Sequence, residues 1–94
     1  MKSQKSIAEK KQELITNLMK CGGIVTIACL RSNVGRTMFY EYINTDPEFA
    51  ANVEQVQDAF LDYAESRLFD LMLTGDRAAI MFFLKAKGKN RGYR

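Results

Sequence analysis

The stretch IVTIACLRSNVGRTMFYEYI, residues 24–43, decides how the chain is expected to fold. It reads as two short helices joined by a tight turn. Ala28 and Cys29 are small enough to let another helix pack close, Asn33 tolerates the left-handed backbone a sharp turn needs, and Val34 fills the corner. Phe39 and Tyr42 stand three residues apart and so share the buried side of the second helix. Arg36, Thr37, Tyr40 and Glu41 are left facing outward. This is the layout of a helix-turn-helix whose second helix lies in the major groove of DNA. The same residues also suit a helical hairpin with no nucleic-acid role.

Working outward, 94 residues suit one small domain with a modest core. One proline, six glycines and 47% apolar residues point to an ordered, helix-rich protein, so the expected class is all-α. No window approaches the length of a membrane span, and the opening MKSQKSIAEKK lacks the apolar centre of a signal peptide. A soluble protein of the cytoplasm is therefore expected. Without histidine, Cys21 and Cys29 cannot assemble a usual four-ligand zinc site, and both read as small packing residues. The commonest general base is missing, and neither a Gly-rich phosphate loop nor a nucleophile elbow occurs. The expectation is a protein that is not an enzyme and carries no cofactor or metal.

Before the central stretch, a first helix starts near Ser3 or Ser6, either of which can cap it. Ile7, Leu14, Ile15, Leu18 and Met19 form its apolar stripe, and Cys21-Gly22-Gly23 ends it. Lys2, Lys5 and Lys20 are candidate phosphate contacts on this helix. Thr26, Arg31 and Ser32 are candidates on the next, a β-branched and intrinsically weak helix that packing must hold. On the third helix, the open amides of the first turn stand beside Arg36 and Thr37. Arg36 can span guanine O6 and N7, Thr37 can reach a phosphate or a thymine methyl, and Met38 and Tyr40 add apolar or phosphate contact. Glu41 either accepts from cytosine or pairs with Arg36.

After the stretch, Thr45 or Asp46 caps a long helix beginning at Pro47 and reaching about Leu73. Phe49, Val53, Val56, Phe60 and Tyr63 form a heptad-like seam, and Ala64, Leu68, Leu71 and Met72 widen it. Part of that seam must cover the core of the head. Thr74-Gly75-Asp76 closes this helix and caps the last one, where residues 78–84 are apolar on every side. Such a helix is expected to be covered, either by other copies of the chain or by an αα-hairpin packed fully within one subunit. The division that follows is a head at 1–45, a helical hairpin for oligomerisation at 46–87 and a basic tail at 88–94.

Charge is segregated along the chain. Residues 1–45 hold seven Lys or Arg against three acids, residues 46–76 hold one against eight, and residues 77–94 hold six and no acid. The single-signed end is expected to be ordered only with a partner, nucleic acid or an acidic protein, or else to serve as a solubilising tail.

The helix-turn-helix, the DPEF restart at residues 46–49 and the ending GDRAAIMFFLKAKGKNRGYR together resemble the small terminase subunits of tailed bacteriophages, from about Leu14 to Arg94. The resemblance implies a protein, itself no nuclease, that recognises the packaging-initiation site on double-stranded viral DNA in the bacterial host cell. It also implies a homo-oligomer, often ring-shaped, that recruits the large terminase subunit. Carried onto this sequence, the DNA reader is Arg36, Thr37, Met38, Tyr40 and Glu41. The oligomer forms through the later helices, with Phe60, Tyr63, Leu71, Ile80, Phe82 and Phe83 as contact residues. Where that family most often has Gly-Val-Ser in the turn, this chain has Asn33-Val34-Gly35, and Tyr42 replaces a common tryptophan. Losing the capping hydroxyl to glycine weakens the third helix by roughly a few tenths of a kcal/mol. A transcriptional regulator or transposase reader module is a second reading. A protein-interaction adaptor without nucleic acid is a third.

Overall fold

The structure, a computed structural model, describes residues 5–93; Lys2, Ser3 and Arg94, named above, lie outside them. It is all-helical, with no strand among the described residues. Five helices follow in order: α1 Ile7–Lys20, α2 Val25–Ser32, α3 Arg36–Thr45, α4 Pro47–Leu73 and α5 Arg77–Lys87. A single 3-10 turn, Lys89–Arg91, comes after them.

Local chemistry sets most boundaries. Ser6 caps α1 through a reciprocal box: its hydroxyl accepts from the Glu9 amide and its own amide donates to the Glu9 carboxylate, both at 3.1 Å. That bond from the Ser6 backbone, reinforced by the Ser6 hydroxyl, holds the Glu9 carboxyl below its ordinary value. At the end of α2, Asn33 adopts φ 56, while the Val34 amide donates to the Cys29 carbonyl at 3.0 Å. This is a Schellman closure with asparagine in the place glycine usually takes. Gly75, at φ 82, ends α4 in the same way. α3 runs two residues past Ile43, to Thr45, whose hydroxyl donates back to the Glu41 carbonyl at 2.8 Å. The break before α4 is therefore the single residue Asp46, whose carboxylate accepts from the Phe49 amide at 3.1 Å. Asp76 caps α5 through the Ala79 amide at 2.8 Å.

Two compact units result, one ending at Phe60 and the other beginning at Leu61. The core of the first combines Leu14 and Leu18 from α1, Ala28 and Cys29 from α2, Phe39 and Tyr42 from α3, and Phe49 and Val53 from α4. The start of the α4 seam thus belongs by packing to this unit, a different cut from the division by role at 45/46. Phe49 sets its ring edge-on to Phe39 at 5.6 Å and to Tyr42 at 5.9 Å. Burial drives up the Cys29 thiol pKa, which suits a packing residue rather than a nucleophile.

Polar ties reinforce this unit. Asn17 Nδ2 donates to Ser32 Oγ at 2.7 Å, joining α1 to α2, and Gln57 Nε2 donates to the Gly23 carbonyl at 3.2 Å. Lys11 reaches Asp46 at 2.8 Å while lying 4.9 Å from the centre of the Tyr42 ring. The Lys11 ammonium, helped by the Phe49 amide, holds the Asp46 carboxyl below the usual aspartate range. The folded state therefore gains stability from Asp46 above the ordinary aspartate pKa of about 3.9, and loses it as pH falls through the lower folded value. Asp46→Asn keeps a capping side chain but no charge, so its melting temperature should fall less steeply than that of the unsubstituted chain in acid. Parallel thermal melts between pH 7 and pH 2 check this; identical acid limbs would show that the pair contributes nothing.

Along α5 Ala79 alone is buried, and Leu84 is half-buried. Phe82 is 62% exposed and Leu73 71%. The hairpin is thus not packed fully within one subunit, because α5 is apolar all round and α4 covers only part of it. The basic end also differs from a tail without structure: its 3-10 turn is closed by the Tyr93 amide donating to the Gly88 carbonyl at 3.2 Å.

Candidate nucleic-acid interface

The surface that α3 presents follows from helix geometry. At about 100° per residue, Arg36, Tyr40, Thr37, Glu41 and Met38 fall in that order around roughly 200° of arc. Phe39, Tyr42 and Ile43 occupy the rest, and they are the residues buried or packed against the core. All five outward residues are exposed, Met38 and Tyr40 at 44% each. The sequence assignment of inner and outer faces matches this placement.

Two features give the start of this arc its electrostatics. Gly35 provides no side-chain cap and the first turn of α3 contains no acid, so its leading amides have no partner within the helix. Arg36 stands at that end, where the helix dipole is already positive; an exposed charge so placed costs about 0.3–1 kcal/mol, and an anion relieves it. The guanidinium rests 5.8 Å from the centre of the Tyr40 ring, which restrains it on the outer face. Arg36 and Glu41 form no ion pair, because five residues of helix set them about 140° apart.

The other candidates divide by position. Arg31 is exposed in the last turn of α2, next to the Asn33 turn that leads into Arg36. Thr26 and Lys20 are exposed but flank the opposite end of α2, roughly 12 Å away along an eight-residue helix. Ser32 is a correction: it is buried at 8% and its hydroxyl is held by Asn17, so it braces α1 against α2 and faces no solvent. Lys10 is an addition. It lines a hollow of about 450 Å³ together with Ile7, Met38, Glu41 and Thr45, which places a second cation beside the α3 surface. Its spacing along α1 carried no such signal, since only the packing of α1 against α3 brings it there.

Phe60 is half-buried at the end of the first unit, whereas Tyr63, Leu71, Ile80, Phe82 and Phe83 are exposed in the second. There α4 and α5 border an apolar groove of about 620 Å³, lined by Leu61, Leu68, Phe69, Met72, Phe82 and Phe83. Among the described residues no three His, Cys, Asp or Glu side chains gather as a metal site would require, and no helix is long and apolar enough to cross a membrane. Compared with protein-family models, with curated protein sequences and with solved structures, the chain matches none.

Proposed function

We propose that this chain is a DNA-binding protein of the small-terminase type. In this reading α2 and α3 form a helix-turn-helix, and α3 enters the major groove of double-stranded DNA. Arg36 and Thr37 read base edges, and Tyr40 and Met38 add contact. Arg31 and Lys10 hold phosphates, which fix register without reading sequence. The second unit joins copies of the chain into a homo-oligomer, so that several heads engage a packaging-initiation site and present it to the large terminase subunit in the bacterial cytoplasm. The chain itself performs no catalysis and needs no cofactor.

The observation that carries this reading is the continuous exposed arc of α3, with Arg36 held at a helix end that has neither cap nor acid. A purely structural hairpin gains nothing from that placement. Fluorescence anisotropy with labelled duplexes tests it. Arg36→Ala combined with Thr37→Ala should weaken binding to the preferred duplex at least about tenfold and level the affinities among duplexes, since a good bidentate base contact is worth about 1–3 kcal/mol. Unchanged affinity for every duplex would remove α3 as the reader.

A further inference from the structure

The basic end of the chain is a second concentration of positive charge, built differently from the first. Residues 77–94 hold six Lys or Arg and no acid. Lys85 and Lys87 lie in the last turn of α5, where cations complement the negative end of the helix dipole, and that alone accounts for them. It does not account for Lys89 and Arg91, which lie beyond the helix.

These later cations stand on a folded turn. The Gly88 amide donates to Leu84 at 2.7 Å, the Arg91 amide to Gly88 at 2.9 Å, the Gly92 amide to Lys89 at 3.1 Å and the Tyr93 amide to Gly88 at 3.2 Å. A Cβ at position 88 would come within 2.6 Å of the Leu84 carbonyl oxygen and 3.0 Å of the Tyr93 ring, so glycine is required for this closure. Among the described residues none of Lys85, Lys87, Lys89 and Arg91 is in an ion pair. Glu65 lines the same groove as Lys87 without pairing with it. All four cations are exposed, and Tyr93 beside them is 47% exposed.

We propose that this turn is a second nucleic-acid-binding site, one that grips the phosphate backbone without regard to base sequence. Two cations on an ordered turn, with two more in the last turn of α5, lose less conformational entropy on meeting a regular row of phosphates than four on a loose tail. A half-exposed tyrosine beside them supplies a flat apolar surface for a sugar or an unstacked base. An acidic protein partner would also meet the charge, but it would be expected to set its own acids among apolar contacts, and of the four cations only Lys87 lines the apolar groove of the second unit.

The site is tested separately from the α3 reader. The full chain carrying Arg36→Ala, Thr37→Ala, Arg31→Gln and Lys10→Gln is titrated with a 30-base-pair duplex of scrambled sequence across 50–200 mM salt. If about four phosphates are contacted, log affinity should fall against log salt with a slope near −3 to −4, a loss of roughly a hundredfold over that range. Adding Lys85→Gln, Lys87→Gln, Lys89→Gln and Arg91→Gln should remove this binding, while Lys85→Arg, Lys87→Arg and Lys89→Arg should keep it; circular dichroism verifies that each variant stays folded. Binding and slope that survive the four glutamines overturn the proposal. So does a chain that binds polyglutamate but not the duplex. Because the base-reading and phosphate-holding residues of the first unit are already replaced in these variants, failure here leaves the α3 reading standing, and failure of that reading leaves this one standing.

Discussion

Phe39→Ala is expected to unfold the first unit at or near room temperature. The ring is 1% exposed, and it meets Phe49 at 5.6 Å and Tyr40 at 5.2 Å, both edge-on. Removing a buried phenyl group costs about 3–5 kcal/mol, including the cavity left behind. A folding unit of some sixty residues buries little surface and stands at the low end of the 5–15 kcal/mol that domains possess. At about 4–8 °C per kcal/mol for so small a unit, the melting temperature should fall by roughly 15 °C or more. Tyr40→Ala is the control: it removes a neighbouring ring that is 44% exposed, and it should lower the melting temperature by only a few degrees. Thermal melts followed by far-UV circular dichroism compare the two. Equal, small shifts would mean that the head is not organised around Phe39.

What was legible in the sequence was whatever nearest neighbours along the chain determine. Helix ends belong here: Ser6, Asp46 and Asp76 bond amides three residues ahead, and Asn33 takes a conformation that its own side chain tolerates. The two faces of α3 were equally legible, since spacing alone separates Phe39 and Tyr42 from Arg36, Thr37 and Tyr40. What was not legible depends on contacts between segments. Ser32 looks like an ordinary helix-end serine until Asn17, fifteen residues earlier, reaches it. Lys11 looks like a solvated lysine until the fold brings Asp46, thirty-five residues later, to 2.8 Å. Lys10 reaches the α3 surface for the same reason. Thr45 prolongs α3 through a bond to its own helix, a choice that the sequence left open between Thr45 and Asp46 as caps. The apolar run in α5 announced that it needs cover, and nothing in the run said how little of that cover α4 would provide.

That shortfall gives the second large effect. Phe69, Leu71, Leu73, Phe82 and Met81 are each 48–71% exposed in one chain, and they lie on the two helices that border the apolar groove of the second unit. Fully burying an apolar side chain of this size is worth about 1.5–3 kcal/mol, so two copies that cover these residues against each other gain a strong association. The chain should therefore sediment as an oligomer at micromolar concentration. Phe69→Glu with Phe82→Glu removes two aromatic contacts and puts two charges where a partner would have to desolvate them. The loss of transfer free energy alone, at least about 3 kcal/mol for the pair, corresponds to a weakening of a hundredfold or more. The doubly substituted chain should run as a monomer in analytical ultracentrifugation and keep its helical circular dichroism, because both rings are already exposed in the single chain. On the proposed DNA-binding function it should also lose affinity for a duplex long enough to hold several heads, while its affinity for a duplex that admits one head stays unchanged. An unsubstituted chain that stays monomeric at 100 μM would mean that this face has some other cover, and copies of the chain would then not be what assembles the heads on DNA.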